Sequence, residues 1–136
     1  MNERSKTLSL MALKERARMA LTLGEVREVA VQKAEAARTA ERLAAALAER
    51  RVSQGAVQSM ATLRAERGMV GQILTEIDRQ CAREAALAQA LAEAQAKLAK
   101  EEHRLSLLTD KAKAARQGEA EARQALRDAA MPPRRR

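Results

Sequence analysis

From Leu8 to Leu47 one set of positions recurs in alternating steps of three and four: Leu8, Ala12, Met19, Val26, Val29, Ala36, Ala40, Leu43 and Leu47. Glu15, Thr22 and Lys33 fill the remaining slots of the same repeat. This spacing holds one stripe against a partner helix, as coiled-coil packing requires. A second stripe runs through Met60, Leu63, Val70, Leu74, Ile77, Cys81, Ala88, Leu91, Leu98 and Leu105. It is interrupted by Arg67, Glu84, Gln95 and Glu102, and continues through Leu108, Ala112, Ala115, Ala122 and Leu126. The pattern predicts an all-α chain with helices over about 6–51 and 57–130. Ser5 or Thr7 is positioned to cap the first. Pro132 and Pro133 stop the second, since proline disfavours helix in the residue before it and lacks the N–H of the ladder.

Between the stripes, RVSQG (51–55) is the best turn candidate, placed at about 52–56. Gly55 tolerates positive φ and Ser53 can cap the helix that follows. The stripes then meet inside one molecule as an antiparallel coiled-coil hairpin, a single domain over 1–131 with a disordered basic tail at 132–136. A turn centred near residue 54 sets residue i opposite about 108 minus i, so that Leu47 meets Met60 and Leu63, Val29 meets Ile77 and Cys81, and Leu8 meets Leu98. The second helix then outruns the first by roughly 25–30 residues at equal rise per residue, leaving Leu105, Leu108 and Leu126 uncovered. A competing turn at GMVG (68–71) gives helices of nearly equal length. Against it, Met69 and Val70 carry on the apolar stripe, and glycine is tolerated inside a helix at roughly 1 kcal/mol relative to alanine.

Composition narrows the picture. The chain has no Phe, Trp or Tyr, and 32 of its 136 residues are alanine. Aromatic side chains dominate ordinary cores, so any core here is a thin seam rather than the centre of a globule. Abundant Ala, Glu, Lys, Leu, Arg and Gln with few breakers is the composition of long helices. The net charge is +8, and 20 of the 26 basic residues fall in 1–51 and 101–136. In a hairpin both segments approach one end, which is therefore basic while the turn end is nearly neutral. A basic end suits an acidic protein, nucleic acid or anionic lipid, whereas for any single Lys or Arg a solvated face is the simpler reading. One cysteine excludes an internal disulfide and a Cys-based zinc cluster, and fits a reducing cytosol. The apolar patch at Leu8–Leu13 is too short for a signal segment, and nothing approaches the roughly 20 apolar residues of a membrane span. The expectation is a soluble protein.

Chemistry-bearing motifs are missing from the sequence. Neither G-x-x-x-x-G-K-[ST] nor G-x-G-x-x-G occurs to cradle a nucleotide phosphate. His103 has no second His or Cys at ligand spacing and reads as a surface residue among Glu101, Glu102 and Arg104. Cys81, on the stripe, reads as a small buried hydrophobe. Acidic pairs such as Glu101/Glu102 and Glu119/Glu121 read as solubilising ion pairs on a helix. No catalytic, cofactor-binding or metal site is expected, and the chain is read as non-enzymatic. Nucleic-acid binding is weakened by the missing aromatic stacking platforms and by basic runs as short as KERAR (14–18) and RRR (134–136).

Over nearly its whole length the sequence resembles the FliJ/YscO family of flagellar and virulence type III export machines. The most specific stretch, ILTEIDRQ (73–80), is similar to the family's L-x-x-x-I-x-x-Q-like segment after the turn, with Leu74 and Ile77 here three apart. KLAKEEHRLSLLTDKAKAAR (97–116) resembles its charged K-x-x-x-x-x-R-L-x-x-L-x-x-x-K helix, and the basic tail with prolines is also similar. The resemblance implies a cytoplasmic stalk and adaptor resembling the rotor shaft of F-type ATPases, peripherally associated with a membrane export complex. It implies three kinds of partner: a hexameric export ATPase at the terminal end, an export gate membrane protein near the turn, and export chaperones. Carried over by position, the gate contact falls on Val70, Leu74, Ile77 and Cys81 with Leu43 and Leu47 facing them, although Val70 stands where the family commonly has Phe. The ATPase contact falls on Leu105, Leu108, Lys111, Arg116, Arg123 and Leu126. The gate residues also belong to the seam, where plain core packing explains them equally. Two other readings stay open: a structural coiled coil that covers its overhang with a second copy, and a basic helical nucleic-acid binder.

Overall fold

A computed structural model of the protein describes residues 3–53 and 59–133. Two helices account for nearly all of them, α1 (Glu3–Ser53) and the longer α2 (Met60–Ala130), packed against each other. Of the expected turn at 52–56, Val52 and Ser53 are helical, and residues 54–56, with Gly55, lie outside the described residues. The competing turn at 68–71 is overturned. α2 runs unbroken through Gly68 and Gly71, neither with positive φ.

The helix ends follow local chemistry: α2 stops at Ala130, as the prolines predict, and the other ends fall a few residues from those expected. Ser53 is the last residue of α1, and Ser59 caps α2: the Thr62 N–H donates to Ser59 Oγ at 3.3 Å and the Leu63 N–H to Ser59 O at 3.0 Å. Ser5 and Thr7 lie inside α1, which begins at Glu3. Thr7 donates to Glu3 O at 2.8 Å, the i−4 carbonyl bond that also satisfies Thr39 and Thr75 within their helices. At the far end the Met131 N–H donates to Arg127 O at 3.1 Å before the two prolines.

The stripe read from Leu8 to Leu47 is the one α1 turns inward. Ala12, Glu15, Thr22, Ala36 and Leu47 are buried, and Leu8, Met19, Val26, Val29, Lys33, Ala40 and Leu43 are half-buried. Ser5 and Arg50 extend the same repeat at either end.

On α2 the stripe needs correction. The covered repeat runs through Val70, Ile73, Ile77, Gln80, Glu84, Leu87, Leu91, Ala94, Leu98, Glu101, Leu105, Leu108, Ala112, Ala115 and Glu119, with Thr62, Glu66, Glu76, Ala88 and Ala90 half-buried beside it. Met60, Leu63, Leu74 and Cys81 are exposed instead, so Cys81 is not the buried hydrophobe expected of it. The reason is heptad continuity. Both readings share Val70, Ile77, Glu84, Leu91, Leu98, Leu105, Leu108, Ala112 and Ala115, and between Val70 and Leu105 they differ in whether the intervening residue follows by three or four. The observed set alternates strictly from Val70 to Glu119. The expected one stutters at Glu102, Leu105 and Leu108, with two steps of three in succession, and a coiled coil favours the unbroken repeat.

The chain divides into two compact units, Met1–Leu23 with Ala96–Arg136, and Gly24–Gln95. Within the first unit, Ser5 donates to Glu119 at 3.3 Å, Arg116 to Ser9 at 2.8 Å, and Thr22 to Glu101 at 3.0 Å. In this unit residue numbers on the two helices therefore add to 123–125, not 108, and Leu8 lies at the level of about residue 116 rather than Leu98. Alanine on both seams makes apolar matching nearly indifferent to sliding, and hydroxyl–carboxylate pairs select the register. The long overhang is consequently overturned. Leu105 and Leu108 are half-buried, and the uniformly exposed stretch begins only at residue 120 and runs to 133. In the second unit the core is Ala36 and Leu47, with an ion pair of 3.9 Å between Arg50 and Glu66.

Candidate interaction surfaces

The two units differ first in charge. Residues 1–23 and 96–136 carry 16 Lys and Arg against 8 Asp and Glu; residues 24–95 carry 10 against 10. The whole +8 therefore resides in the first unit, and the second is neutral.

The first unit also has polar layers inside its seam. Thr22 and Ser5 are fully covered, and Glu15 and Glu101 are buried. Thr22 Oγ1 lies 3.0 Å from Glu101 Oε1 and 3.1 Å from Arg18 O. A hydroxyl has one proton, so the two donations are alternatives. The second oxygen of Glu101 and one oxygen of Glu15 have no hydrogen-bond partner, while the other Glu15 oxygen is 3.8 Å from Arg18. A buried carboxylate oxygen left without a donor is destabilising.

The six residues assigned to the terminal surface separate into two groups. Leu105 and Leu108 are half-buried in the seam and Arg116 is tied to Ser9, whereas Lys111, Arg123 and Leu126 are exposed, Leu126 at 71%. The six assigned near the turn separate likewise. Leu47 is buried, Leu43, Val70 and Ile77 are half-buried, and Leu74 and Cys81 are exposed. Leu74 and Cys81 stand seven residues apart on one helix, hence on one face two turns apart.

A surface not expected from the sequence lies on the first unit. A groove of about 690 Å³ runs between α1 and α2, lined by Lys6, Ser9, Leu10, Ala12, Leu13, Arg16, Thr109, Ala112, Lys113 and Arg116. Leu10 and Leu13 project into solvent there, 65% and 61% exposed. Both fall outside the core repeat, and that is the signal in the sequence: bulky aliphatics off the stripe in a chain where 32 of 136 residues are alanine. Among the described residues no group of three or more His, Cys, Asp or Glu is placed to hold a metal ion, and no helix is long and apolar enough to cross a membrane. Comparison with protein-family models, with curated proteins and with solved structures gives no match to this chain.

Proposed function

We propose that the chain is an antiparallel coiled-coil hairpin that serves as the stalk and adaptor of a flagellar-type (type III) export apparatus, without enzymatic activity of its own. The observation that carries this reading is the concentration of all net charge in the unit that holds both terminal segments, against a neutral remainder. A stalk engaging two partners needs two chemically distinct ends. The hairpin orientation is supported by partner numbers that fall from 119 to 101 on α2 as those on α1 rise from 5 to 22. The Arg50–Glu66 pair in the second unit supports it further.

In this reading the basic unit enters the ring of a hexameric export ATPase through Lys111, Arg116, Arg123 and Leu126, the members of the terminal set that solvent reaches. Leu74 and Cys81 meet the cytoplasmic domain of the export gate, and export chaperones are further partners. The protein works in the cytoplasm, at the face of a membrane complex.

The test is ATP hydrolysis by a hexameric type III export ATPase from the same organism, with the full chain and with a chain ending at Glu119. Residues 120–133 are exposed, so the shortened chain keeps its seam. Stimulation by the full chain, lost on shortening, is expected; equal stimulation by both, or by neither, overturns the assignment. Self-association is the reading favoured by the bare Leu126. It predicts a dimer in sedimentation equilibrium that the same shortening converts to monomer.

A further inference from the structure

We infer that the groove on the first unit is a docking site for an amphipathic helix of a partner protein, one whose apolar stripe is flanked on both sides by acidic residues. The inference does not depend on the stalk reading, because the groove shares only Arg116 with the residues of the ATPase contact. The groove floor is apolar, made by Ala12 and Ala112 between the helices with Leu10 and Leu13 standing along it. Its borders are cationic on both helices: Lys6 and Arg16 on α1, Lys113 and Arg116 on α2, with no carboxylate in the lining.

Three physical points fix the occupant as a helix with acidic flanks. The α1 wall from Lys6 to Arg16 is about 15 Å long at 1.5 Å per residue, close to three helical turns. A third helix can lay leucines over Ala12 and Ala112 there, the helix-in-groove mode of recognition. Cations on both borders match carboxylates on both flanks of that helix, in the manner of the flanking positions that set partner choice in coiled coils. The same borders work against a second copy of this chain, whose corresponding unit carries 16 basic and 8 acidic residues and would be repelled. A flat lipid surface would meet the charged borders while leaving the floor of a recessed groove uncovered.

The test uses the full chain and two synthetic helical peptides of about 14 residues. Both share one leucine stripe; one carries glutamates on its flanks and the other lysines, and binding is measured by calorimetry. The glutamate peptide should bind and the lysine peptide should not. Substituting Leu10→Ser with Leu13→Ser should weaken binding by about tenfold or more, two bulky apolar contacts being lost. Both side chains are mostly exposed, so helicity and melting temperature should be unchanged. Lys113→Glu should weaken the glutamate peptide and begin to admit the lysine peptide, while Arg127→Glu, on the same unit but outside the groove, should leave binding within about twofold.

Equal binding of the two peptides, binding of neither, or an equal loss in Arg127→Glu overturns the inference. So does a dimer that Leu10→Ser with Leu13→Ser dissolves, since a second copy would then be the occupant. Sedimentation on phosphatidylglycerol vesicles with which the glutamate peptide does not compete overturns it as well. Peptide binding by a chain that fails to stimulate the ATPase retains the groove and removes the stalk; stimulation without peptide binding does the reverse.

Discussion

The two units share one repeat and use it differently. In residues 24–95 the seam holds Val26, Val29, Ala36, Leu43, Leu47, Val70, Ile73, Ile77, Leu87 and Leu91, its polar members Lys33, Gln80 and Glu84 are only half-buried, and the charges balance. In the unit of both terminal segments the slots of Leu8, Ala12, Met19, Leu98, Leu105, Leu108 and Ala112 are shared with Ser5, Glu15, Thr22 and Glu101, which are buried polar side chains, and the charges sum to +8. Apolar layers supply stability with little preference among registers when many of them are alanine. Polar layers supply little stability and choose the register, as single polar positions do in other coiled coils. One unit is therefore built to hold and the other to align and to bind.

The largest effect should come from the seam of the neutral unit. Leu47 is 8% exposed, and Leu47→Ala should lower unfolding free energy by about 2–4 kcal/mol in urea titration. Leu74→Ala, at 44% exposure, should change it by less than about 0.5 kcal/mol. Equal losses would mean that α2 turns its other face inward, and the phase assigned here would be wrong.

Polar layers make the second contrast. Thr22→Val removes the hydroxyl that donates to buried Glu101, and about 1–3 kcal/mol of stability should go with it. Adding Glu101→Leu to that variant should restore the loss or exceed the parent, because an apolar layer replaces a partly satisfied polar one. The double variant should also lose register, visible as several signals for the Ala112 methyl in NMR. If it stays uniquely folded, the alignment role of this layer is disproved.

What could be read in advance divides along the same line. The α1 stripe was legible from Leu8 to Leu47 because Glu15, Thr22 and Lys33 were accepted as members of the repeat. On α2 the larger hydrophobes Leu74 and Cys81 outweighed Gln80 and Glu101, and the phase was lost at alternate positions. The register needed the pairing of Thr22 with Glu101 and Ser5 with Glu119, which apolar matching ignores. Leu10 and Leu13 are not marked by the repeat for a related reason: the stripe identifies what packs inward, and a docking surface is made by what lies beside it.

Salt should separate the units next. Like charges concentrated in one unit repel, and ions at about 0.5 M screen that repulsion over a few ångströms. Amide hydrogen exchange in residues 3–23 and 96–119 should slow by about fivefold between low and high salt, a gain near 1 kcal/mol. Exchange in residues 24–50 and 60–95 should hardly change. A uniform slowing across both would show that the charge asymmetry has no bearing on local stability.

The smallest effect concerns the glycines of the neutral unit. A Cβ added at Gly68 or Gly71 meets nothing within 4 Å, and both residues have helical backbone. Alanine there adds no clash and removes unfolded-state freedom, so each substitution should raise stability by about 0.5–1 kcal/mol. Gly118→Ala, equally unobstructed in the charged unit, should gain as much, since helix propensity is local and indifferent to the seam. The pair at 68 and 71 carries the sharper consequence. Were the chain to turn at GMVG, alanine would be forced into turn geometry that glycine alone adopts easily, and the double variant would lose stability. A gain measured for Gly68→Ala with Gly71→Ala thus establishes in solution that α2 is continuous through the point where the sequence is most permissive of a break.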